Sequence, residues 1–207
     1  PGTPSSEVSL NLFQMSRESD LYFEYSTNEK VALEVAAAAA NSGLRTFCMM
    51  KHVGLNVAAD PLMTLAYIGV TAGMVILTAD DPAMFSSQNE QDNRYYAKFG
   101  HFPMFEPSCV AEAKDMIKEA FELSETLKQP VILRTTTRIN HSNAFVTFGE
   151  IKERKTRGRF ERDPFRCVTV PAVSRGLHVK LLERLDAAKG IAETSGYNFI
   201  QGDGPLG

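Results

Sequence analysis

The sequence predicts an α/β domain in which a mostly parallel sheet carries helices on both faces. Three segments, 46–50, 74–79 and 131–136, are short and almost continuously apolar, as strands buried on both faces are. Segments with helical periodicity or strong helix formers separate them, and such alternation of strands and helices is typical of a parallel sheet. Short right-handed crossover connections are expected from the same pattern.

Each helix and strand has its own signal. Ser5 or Ser6 can cap a first helix, and Thr27-Asn28 precede a second that runs through an alanine-rich stretch to Ala40. Residues 20–26 alternate and are rich in aromatic side chains, which predicts a short first strand. The other expected elements are helices at 58–67, 90–98 and 175–194, a long amphipathic helix capped by Ser108, and a short strand at 103–106.

The composition is that of a globular protein, and it argues against several classes of function. The 207 residues are 43% hydrophobic and carry a net charge of −3, with a pI near 5.9. This balance does not suit a nucleic-acid or membrane binder, and no apolar run approaches the ~18 residues that span a bilayer. Cys48, Cys109 and Cys167 are far apart, which predicts free thiols and no cysteine metal site. We therefore expect a cytoplasmic protein.

A change of character near residue 150 predicts three parts. We expect an α/β ligand-binding domain at 1–148, a basic connector and a helix at 149–195, and the truncated start of a following domain at 196–207. Residues 1–150 are net acidic, whereas residues 151–207 are net basic, chiefly through Lys152 to Arg159. Both ends look truncated, so we expect a fragment of a longer polypeptide.

Polar loops follow the predicted strands, where open parallel sheets bind their ligands. They begin at Lys51, Asp80 and Thr136, and the strand at 20–26 is expected to lead into Asn28-Glu29. All four loops should meet at one edge of the sheet, so a binding or catalytic site is expected there. The residues alone leave open whether the domain is part of an enzyme.

Five blocks of sequence give a more specific signal. They are Pro-Gly-Thr-Pro-Ser-Ser-Glu-Val (1–8), Asn-Glu-Lys-Val-Ala-Leu-Glu-Val-Ala-Ala (28–37), Met-Lys-His-Val-Gly-Leu-Asn-Val-Ala-Ala-Asp-Pro-Leu-Met (50–63), Ala-Asp-Asp-Pro (79–82) and Ser-Ser-Gln-Asn-Glu-Gln-Asp (86–92). Together they resemble the large subunit of the indolepyruvate:ferredoxin oxidoreductase family, and the resemblance extends over essentially the whole chain. This is a family of thiamine-diphosphate-dependent enzymes that decarboxylate aryl pyruvates oxidatively, transferring the acyl group to coenzyme A and two electrons to ferredoxin.

The resemblance implies the thiamine-diphosphate-binding fold, and within it the domain that binds the aminopyrimidine ring. Such a domain supplies a glutamate that hydrogen-bonds the ring nitrogen opposite the amino group and so promotes formation of the cofactor's carbanion. The matching residue is Glu29, with Glu34 as a rival about 140° further around the same helix. The resemblance further implies that Thr3, Pro4 and Asn56 contribute to cofactor binding.

The substrate side of the site is less defined. The resemblance places His52 where it could act as a catalytic proton carrier, and Lys51, Arg94 and Arg138 where one of them could bind the substrate carboxylate. The related pyruvate enzymes have an arginine after the corresponding strand, but this chain has Asp80-Asp81 there. Because a carboxylate would repel a 2-oxoacid, another cation must serve, and the sequence does not rank the three candidates.

The same resemblance implies parts outside this chain. Magnesium and the cofactor diphosphate would be held by a second domain, 4Fe-4S clusters would lie elsewhere in the subunit, and a small (beta) subunit and ferredoxin would be partners. Gly202-Asp203-Gly204 imitates the start of a diphosphate-binding motif but lacks its downstream residues. We therefore expect the 207 residues to be inactive alone.

Three alternatives stay open. The chain could be the corresponding domain of another thiamine enzyme, such as a non-redox 2-oxoacid decarboxylase or a transketolase-like enzyme. It could also be a non-catalytic assembly domain. In the third, residues 152–166 would contact nucleic acid, although Glu153, Glu161 and Asp163 interrupt the basic residues.

Overall fold

The computed structural model describes residues 2–150 and 157–204. Its sheet consists of β1 (Thr46–Lys51), β2 (Met74–Asp80), β3 (Met104–Phe105) and β4 (Val131–Thr136). The strands lie in the order β1-β2-β4-β3, and every neighbouring pair is parallel. The predicted parallel α/β fold is confirmed, and the three apolar strands begin and end within about one residue of their predicted bounds.

Helices connect the strands and continue the chain beyond them. They are α1 (Ser6–Met15), α2 (Glu29–Asn41), α3 (Gly54–Val57), α4 (Ala59–Ile68), α5 (Arg94–Gly100), α6 (Val110–Leu127), α7 (Thr137–Asn140), α8 (Pro164–Cys167) and α9 (Pro171–Glu193). None of the helices in the described parts of the chain combines the length and apolar character that crossing a bilayer requires.

The core has two layers because β2 is buried along its whole length. Met74 and Ile76 pack with apolar residues of α2, α4 and α9 on one face of the sheet. Val75 and Leu77 alternate with them and pack against α6 on the other face. The continuous apolar strands of the sequence therefore reflect helices on both faces.

Helix α2 begins at Glu29 because the preceding residue caps it. The side-chain oxygen of Asn28 accepts a hydrogen bond from the Val31 N–H at 3.0 Å. The helix ends at Asn41, and Gly43 follows with φ of +88°, a backbone conformation that suits glycine. The sequence signals for both ends of this helix are therefore correct.

The predicted strand at 20–26 is wrong. Within the described residues this segment has no partner strand, and it runs as an extended coil. Its alternating aromatic residues pack on α1 instead: the rings of Phe23 and Tyr25 each lie 5.9 Å from that of Phe13, centroid to centroid. The period-two pattern thus reflects packing against a helix and not membership of the sheet.

Three helix starts also differ from expectation, and one of them is α9, which begins at Pro171, four residues before the predicted start at 175. Helix α5 begins at Arg94 and not at Glu90, because Asn93 is held in the loop by hydrogen bonds to Thr78 and Asp80 at the end of β2. The N-cap of α6 is Cys109 and not Ser108. Ser108 lies one residue earlier, where its backbone N–H and its hydroxyl both donate to the Glu112 carboxylate.

Residues 157–204 pack against the α/β domain formed by the preceding residues. The Arg159 N–H donates to the Ser42 carbonyl at 2.7 Å, and Leu177 and Leu181 of α9 are buried. The expected basic connector at 152–159 lies mostly outside the described residues, as do Pro1 and the residues after Gly204.

Candidate functional site

The carboxyl ends of β1, β2 and β4 lie side by side at one edge of the sheet. Lys51 pairs with Ala79 across the first two strands, and Asp80 pairs with Thr136 across the next two. The loops that carry the predicted site residues leave from these ends. This edge is the candidate site, in agreement with the general position of ligands in parallel α/β sheets.

The N-terminal turn crosses the same edge. A Cβ added to Gly2 would lie 3.5 Å from Lys51 Cδ, so the turn runs beside the end of β1. At the start of α1, Glu7 Oε1 lies 3.5 Å from His141 Nδ1, in the loop after β4. Pro4 is buried in this turn, whereas Thr3 is exposed.

Glu29 is the first residue of α2, and its side chain lies across Gly54. A Cβ on Gly54 would be 2.6 Å from Glu29 Cγ and 3.1 Å from its Oε1. Burial, and second the nearby charge of Glu29, raise the pKa of the Cys48 thiol to about 12. Among the described residues, Glu29 makes no hydrogen bond or ion pair, so its half-buried carboxyl is free to contact a ligand.

Glu34, the rival on the same helix, lies on a different surface. Its side chain is exposed and lines the groove between α2 and α4 together with Asp60 and Pro61. This groove is separate from the carboxyl edge, as the angular offset along the helix predicts. The structure therefore places only one of these two glutamates at the candidate site.

Lys51 ends β1 at the rim of the site. Its ammonium group donates to the Ser86 carbonyl at 3.2 Å and is paired with no carboxylate among the described residues. A carbonyl oxygen neutralises no charge, so Lys51 presents a net positive charge beside the N-terminal turn.

His52 is fully buried directly behind Lys51. Its Nε2 lies 3.1 Å from both the main-chain oxygen and the side-chain oxygen of Asn89. A main-chain oxygen only accepts, so Nε2 carries the proton, and the buried Nδ1 has no hydrogen-bond partner in the described structure. The His52 carbonyl accepts from Gln91 and Asn93. His52 thus fastens the loop after β2 to the end of β1.

Asn56 is exposed, but both ends of its amide are engaged. Its Nδ2 donates to Gln91 Oε1 at 2.8 Å, and its Oδ1 accepts from the Tyr96 hydroxyl at 2.7 Å. These bonds join α3 to α5 and to the loop between them. A ligand could use only the second amide hydrogen and the second lone pair of the Asn56 side chain, because these two bonds occupy the others.

Arg134, a buried cation that sequence reasoning missed, explains how Asp80 is tolerated. Its Nε donates to Asp80 Oδ2 at 2.7 Å, and its Nη1 donates to the Glu106 carboxylate. Asp80 also accepts from the Asn93 N–H at 3.0 Å. The arginine is 5% exposed and the aspartate 0%. The carboxylate of Asp80, the last residue of β2, is therefore neutralised below the surface and does not face the site.

The carboxylate of Asp81, the first residue after β2, organises its own loop. Asp81 accepts from the hydroxyls of Ser87 at 2.6 Å and Thr137 at 2.7 Å, and from the N–H groups of Phe85 and Ser86. Burial alone would raise the pKa of Asp81, but these hydrogen bonds together outweigh it and hold the pKa well below its usual range. Asp81 thus binds the loop to α7.

The three candidate cations differ in how far they are neutralised. Arg94 binds Asp92 through two nitrogens, at 2.9 and 2.7 Å, and a second carboxylate, Glu106, lies 4.0 Å away. Arg138 is exposed, and its guanidinium has no partner in the described parts of the chain. Lys51 and Arg138 therefore carry the available positive charge at this edge, whereas that of Arg94 is compensated.

The residues present fit a bound aminopyrimidine ring. An unpaired, half-buried carboxyl lies against a glycine, with the apolar Met50 and Cys48 nearby, and offers a hydrogen-bonding group to a polar ring. The described residues contain no group of three or more histidine, cysteine, aspartate or glutamate side chains that could hold a metal ion. The three cysteines are free. The edge therefore offers a hydrogen-bonding group for the ring of a cofactor.

Comparison with known proteins gives the family. The family model described as "Pyruvate flavodoxin/ferredoxin oxidoreductase, thiamine diP-bdg" matches residues 1–173. The indolepyruvate oxidoreductase subunit IorA of Methanothermobacter marburgensis is 52% identical over 200 residues, covering 97% of this chain and 32% of the relative. For the subunit of the same name from Pyrococcus horikoshii the identity is 50% over 207 residues, covering 98% and 32%. The chain thus spans about a third of the length of these relatives.

A solved structure supports the fold. The 2-oxoglutarate:ferredoxin oxidoreductase from Magnetococcus marinus, with 2-oxoglutarate, coenzyme A and succinyl-CoA bound, superposes with a TM-score of 0.67. The match covers 92% of this chain and 41% of that one, at 13% identity. With the family model extending over most of the chain, the protein belongs to the thiamine-diphosphate-binding domain family of the pyruvate flavodoxin/ferredoxin oxidoreductases.

Proposed function

We propose that these residues form the pyrimidine-binding domain of an enzyme that oxidatively decarboxylates aryl pyruvates, indolepyruvate among them. The reaction would consume coenzyme A and oxidised ferredoxin and give acyl-CoA, CO2 and two reduced ferredoxins. The observation that carries the proposal is the unpaired Glu29 carboxyl over Gly54, at the ligand-binding edge of a thiamine-family domain. Identity of about 50% to subunits named for indolepyruvate supports the choice of substrate.

Glu29 would hydrogen-bond the ring nitrogen of the aminopyrimidine. Thiamine diphosphate, when bound, supplies the carbanion that attacks the keto carbon, and the protein supplies placement and electrostatics. Thr3 and Pro4 would border the ring, since the N-terminal turn crosses the edge beside Lys51. Asn56 would contribute by fixing α3 beneath the ring, because both ends of its amide already hold neighbouring elements.

We propose Lys51 as the first cation for the substrate carboxylate and Arg138 as the second. Both keep their charge at the rim, whereas Arg94 is bound to Asp92 by two hydrogen bonds. His52 would serve the reaction as a positioning residue, since its buried ring holds the loop that contacts Lys51. A proton-carrying role for His52 would require that loop to open.

Other parts of the enzyme would lie outside the described residues. We propose that a second domain holds magnesium and the diphosphate, and that 4Fe-4S clusters elsewhere in the subunit accept the electrons. Residues 1–148 would be the catalytic part of this chain, 149–195 a connector with its helix, and 196–207 the approach to the next domain. A small (beta) subunit, ferredoxin and a cytoplasmic location complete the proposal.

The test compares Glu29→Gln with Glu34→Gln in the complete subunit that carries these residues, assembled with its partner. We expect Glu29→Gln to bind thiamine diphosphate and Mg²⁺ within several-fold of the parent and to lose indolepyruvate-dependent viologen reduction by orders of magnitude. Glu34→Gln, on the far side of the same helix, should change neither property. Full activity in Glu29→Gln would refute the assignment and favour an assembly role for the domain.

A further inference from the structure

Gly54 lies at the start of α3 in a backbone conformation open to any residue. Its φ is not positive, unlike those of Gly43, Gly69 and Gly202. It does not end a helix, and at the start of one an alanine would be the better helix former. Backbone geometry therefore gives no reason for glycine at this position.

Space gives the reason. An added Cβ would lie 2.6 Å from Glu29 Cγ, 3.0 Å from Met50 Cβ and 3.1 Å from Glu29 Oε1. Side-chain carbons essentially never approach so closely, so a methyl group here must displace something. Met50 is 1% exposed and packed in the core, so it cannot yield. The group that must move is the side chain of Glu29, which is half-buried and held by no hydrogen bond in the described structure.

We infer that Gly54 is a positioning residue for Glu29. Because glycine has no side chain, it leaves a space, here called the seat, in which the Glu29 side chain packs so that its carboxyl is held at the cofactor-binding edge. The seat fixes the carboxyl by packing and leaves its oxygens free for a ligand. A salt bridge or hydrogen bond would fix the same side chain but would occupy those oxygens. The functional half of this inference rests on the proposed role of Glu29.

The steric half is tested by a double-mutant cycle on thermal unfolding of this chain, with Gly54→Ala, Glu29→Ala and the double variant. Gly54→Ala should lower the unfolding midpoint by about 2–12 °C, the range that overpacking by one methyl group produces in a domain of this size. In the Glu29→Ala background most of that fall should disappear, because the clashing Cγ and carboxyl are gone. If Gly54→Ala alone does not fold and the double variant does, the coupling is present in its strongest form.

Gly176→Ala is the matched control. Gly176 lies in α9, and a Cβ there would meet no atom within 4 Å. It should leave the midpoint unchanged or raise it slightly, since alanine favours helix. An equal fall for Gly54→Ala in both backgrounds would overturn the seat, because the cost would then not come from Glu29.

The functional half is read from the complete subunit loaded with thiamine diphosphate. Gly54→Ala should change the ultraviolet circular dichroism of the bound aminopyrimidine in the same sense as Glu29→Gln, with cofactor affinity kept within several-fold. Parental dichroism in Gly54→Ala beside a changed signal in Glu29→Gln would overturn the inference and leave the proposed function standing. If the unfolding midpoints show coupling between Gly54 and Glu29 but the circular dichroism of Glu29→Gln is unchanged, the steric half of the inference is supported and the proposed role of Glu29 is refuted.

Discussion

Replacing Arg134 by methionine should be among the most destabilising single changes in this domain. The guanidinium is 5% exposed and contacts Asp80, which is 0% exposed, at 2.7 Å. Methionine keeps much of the apolar stem but leaves the aspartate charge buried without its cation. Breaking a buried pair in this way costs about 3–5 kcal/mol, which for a chain of this size lowers the unfolding midpoint by roughly 6–20 °C.

The assay is urea unfolding followed by circular dichroism, with Arg94→Met as the matched control. Arg94 forms an equally short ion pair with Asp92, but its side chain is 58% exposed, and exposed pairs contribute about 0–1 kcal/mol. Burial raises the pKa of Asp80 even beside Arg134, and loss of the cation, which lowers it, would raise the folded-state pKa further. The difference in free energy of unfolding between the parent and Arg134→Met should therefore shrink as pH falls and the Asp80 carboxyl takes up a proton. Equal losses for the two variants, or a deficit that grows in acid, would refute the buried-pair argument.

Three further predictions concern the same edge. Asp81→Asn should lower the free energy of unfolding by about 1–3 kcal/mol at pH 7. Because the folded-state pKa of Asp81 is lowered, the stability that its carboxylate contributes is complete above about pH 4 and is lost in more acidic solution. Urea unfolding of both proteins across this pH range would detect the difference. Lys51→Met should raise KM for indolepyruvate about tenfold or more, whereas Arg94→Met should change it less than about threefold; the reverse order in steady-state assays would contradict our ranking. Asn28→Ala should cost about 1 kcal/mol by removing the cap of α2, measurable as a lower midpoint.

The strands and the bounds of α2 could be predicted because their causes are local. A buried parallel strand needs a continuous apolar run, and residues 74–79 supply one. Asn28 and Gly43 are side-chain and backbone signals that act within a few residues of the helix ends. The segment 20–26 has an equally local pattern, but a strand also requires a neighbouring strand. The aromatic residues of this segment pack against Phe13 of α1 instead.

The pairings that shape the site could not be predicted because they join residues far apart in sequence. Asp80 meets Arg134 only because β2 and β4 are neighbours with a register that pairs Thr78 with Arg134. The contact of Glu29 with Gly54 likewise depends on how α2 packs beside the end of β1. One pairing was accessible: Asp92 and Arg94 are two residues apart at a helix start, a spacing that invites a local ion pair.

The charges at the carboxyl edge answer the difficulty that the sequence raised. Asp80 and Asp81 lie at the carboxyl end of β2, where a 2-oxoacid would be repelled, yet neither presents its charge there. Asp80 is turned to the buried Arg134, and Asp81 is enclosed by hydroxyl and N–H donors from its own loop and from Thr137. The positive charge of Lys51 is left uncompensated at the rim. We expect an edge built in this way to attract an anionic substrate, because its acidic residues hold the loop and do not face the rim; the absence of an arginine after β2 is then compatible with the proposed 2-oxoacid substrate.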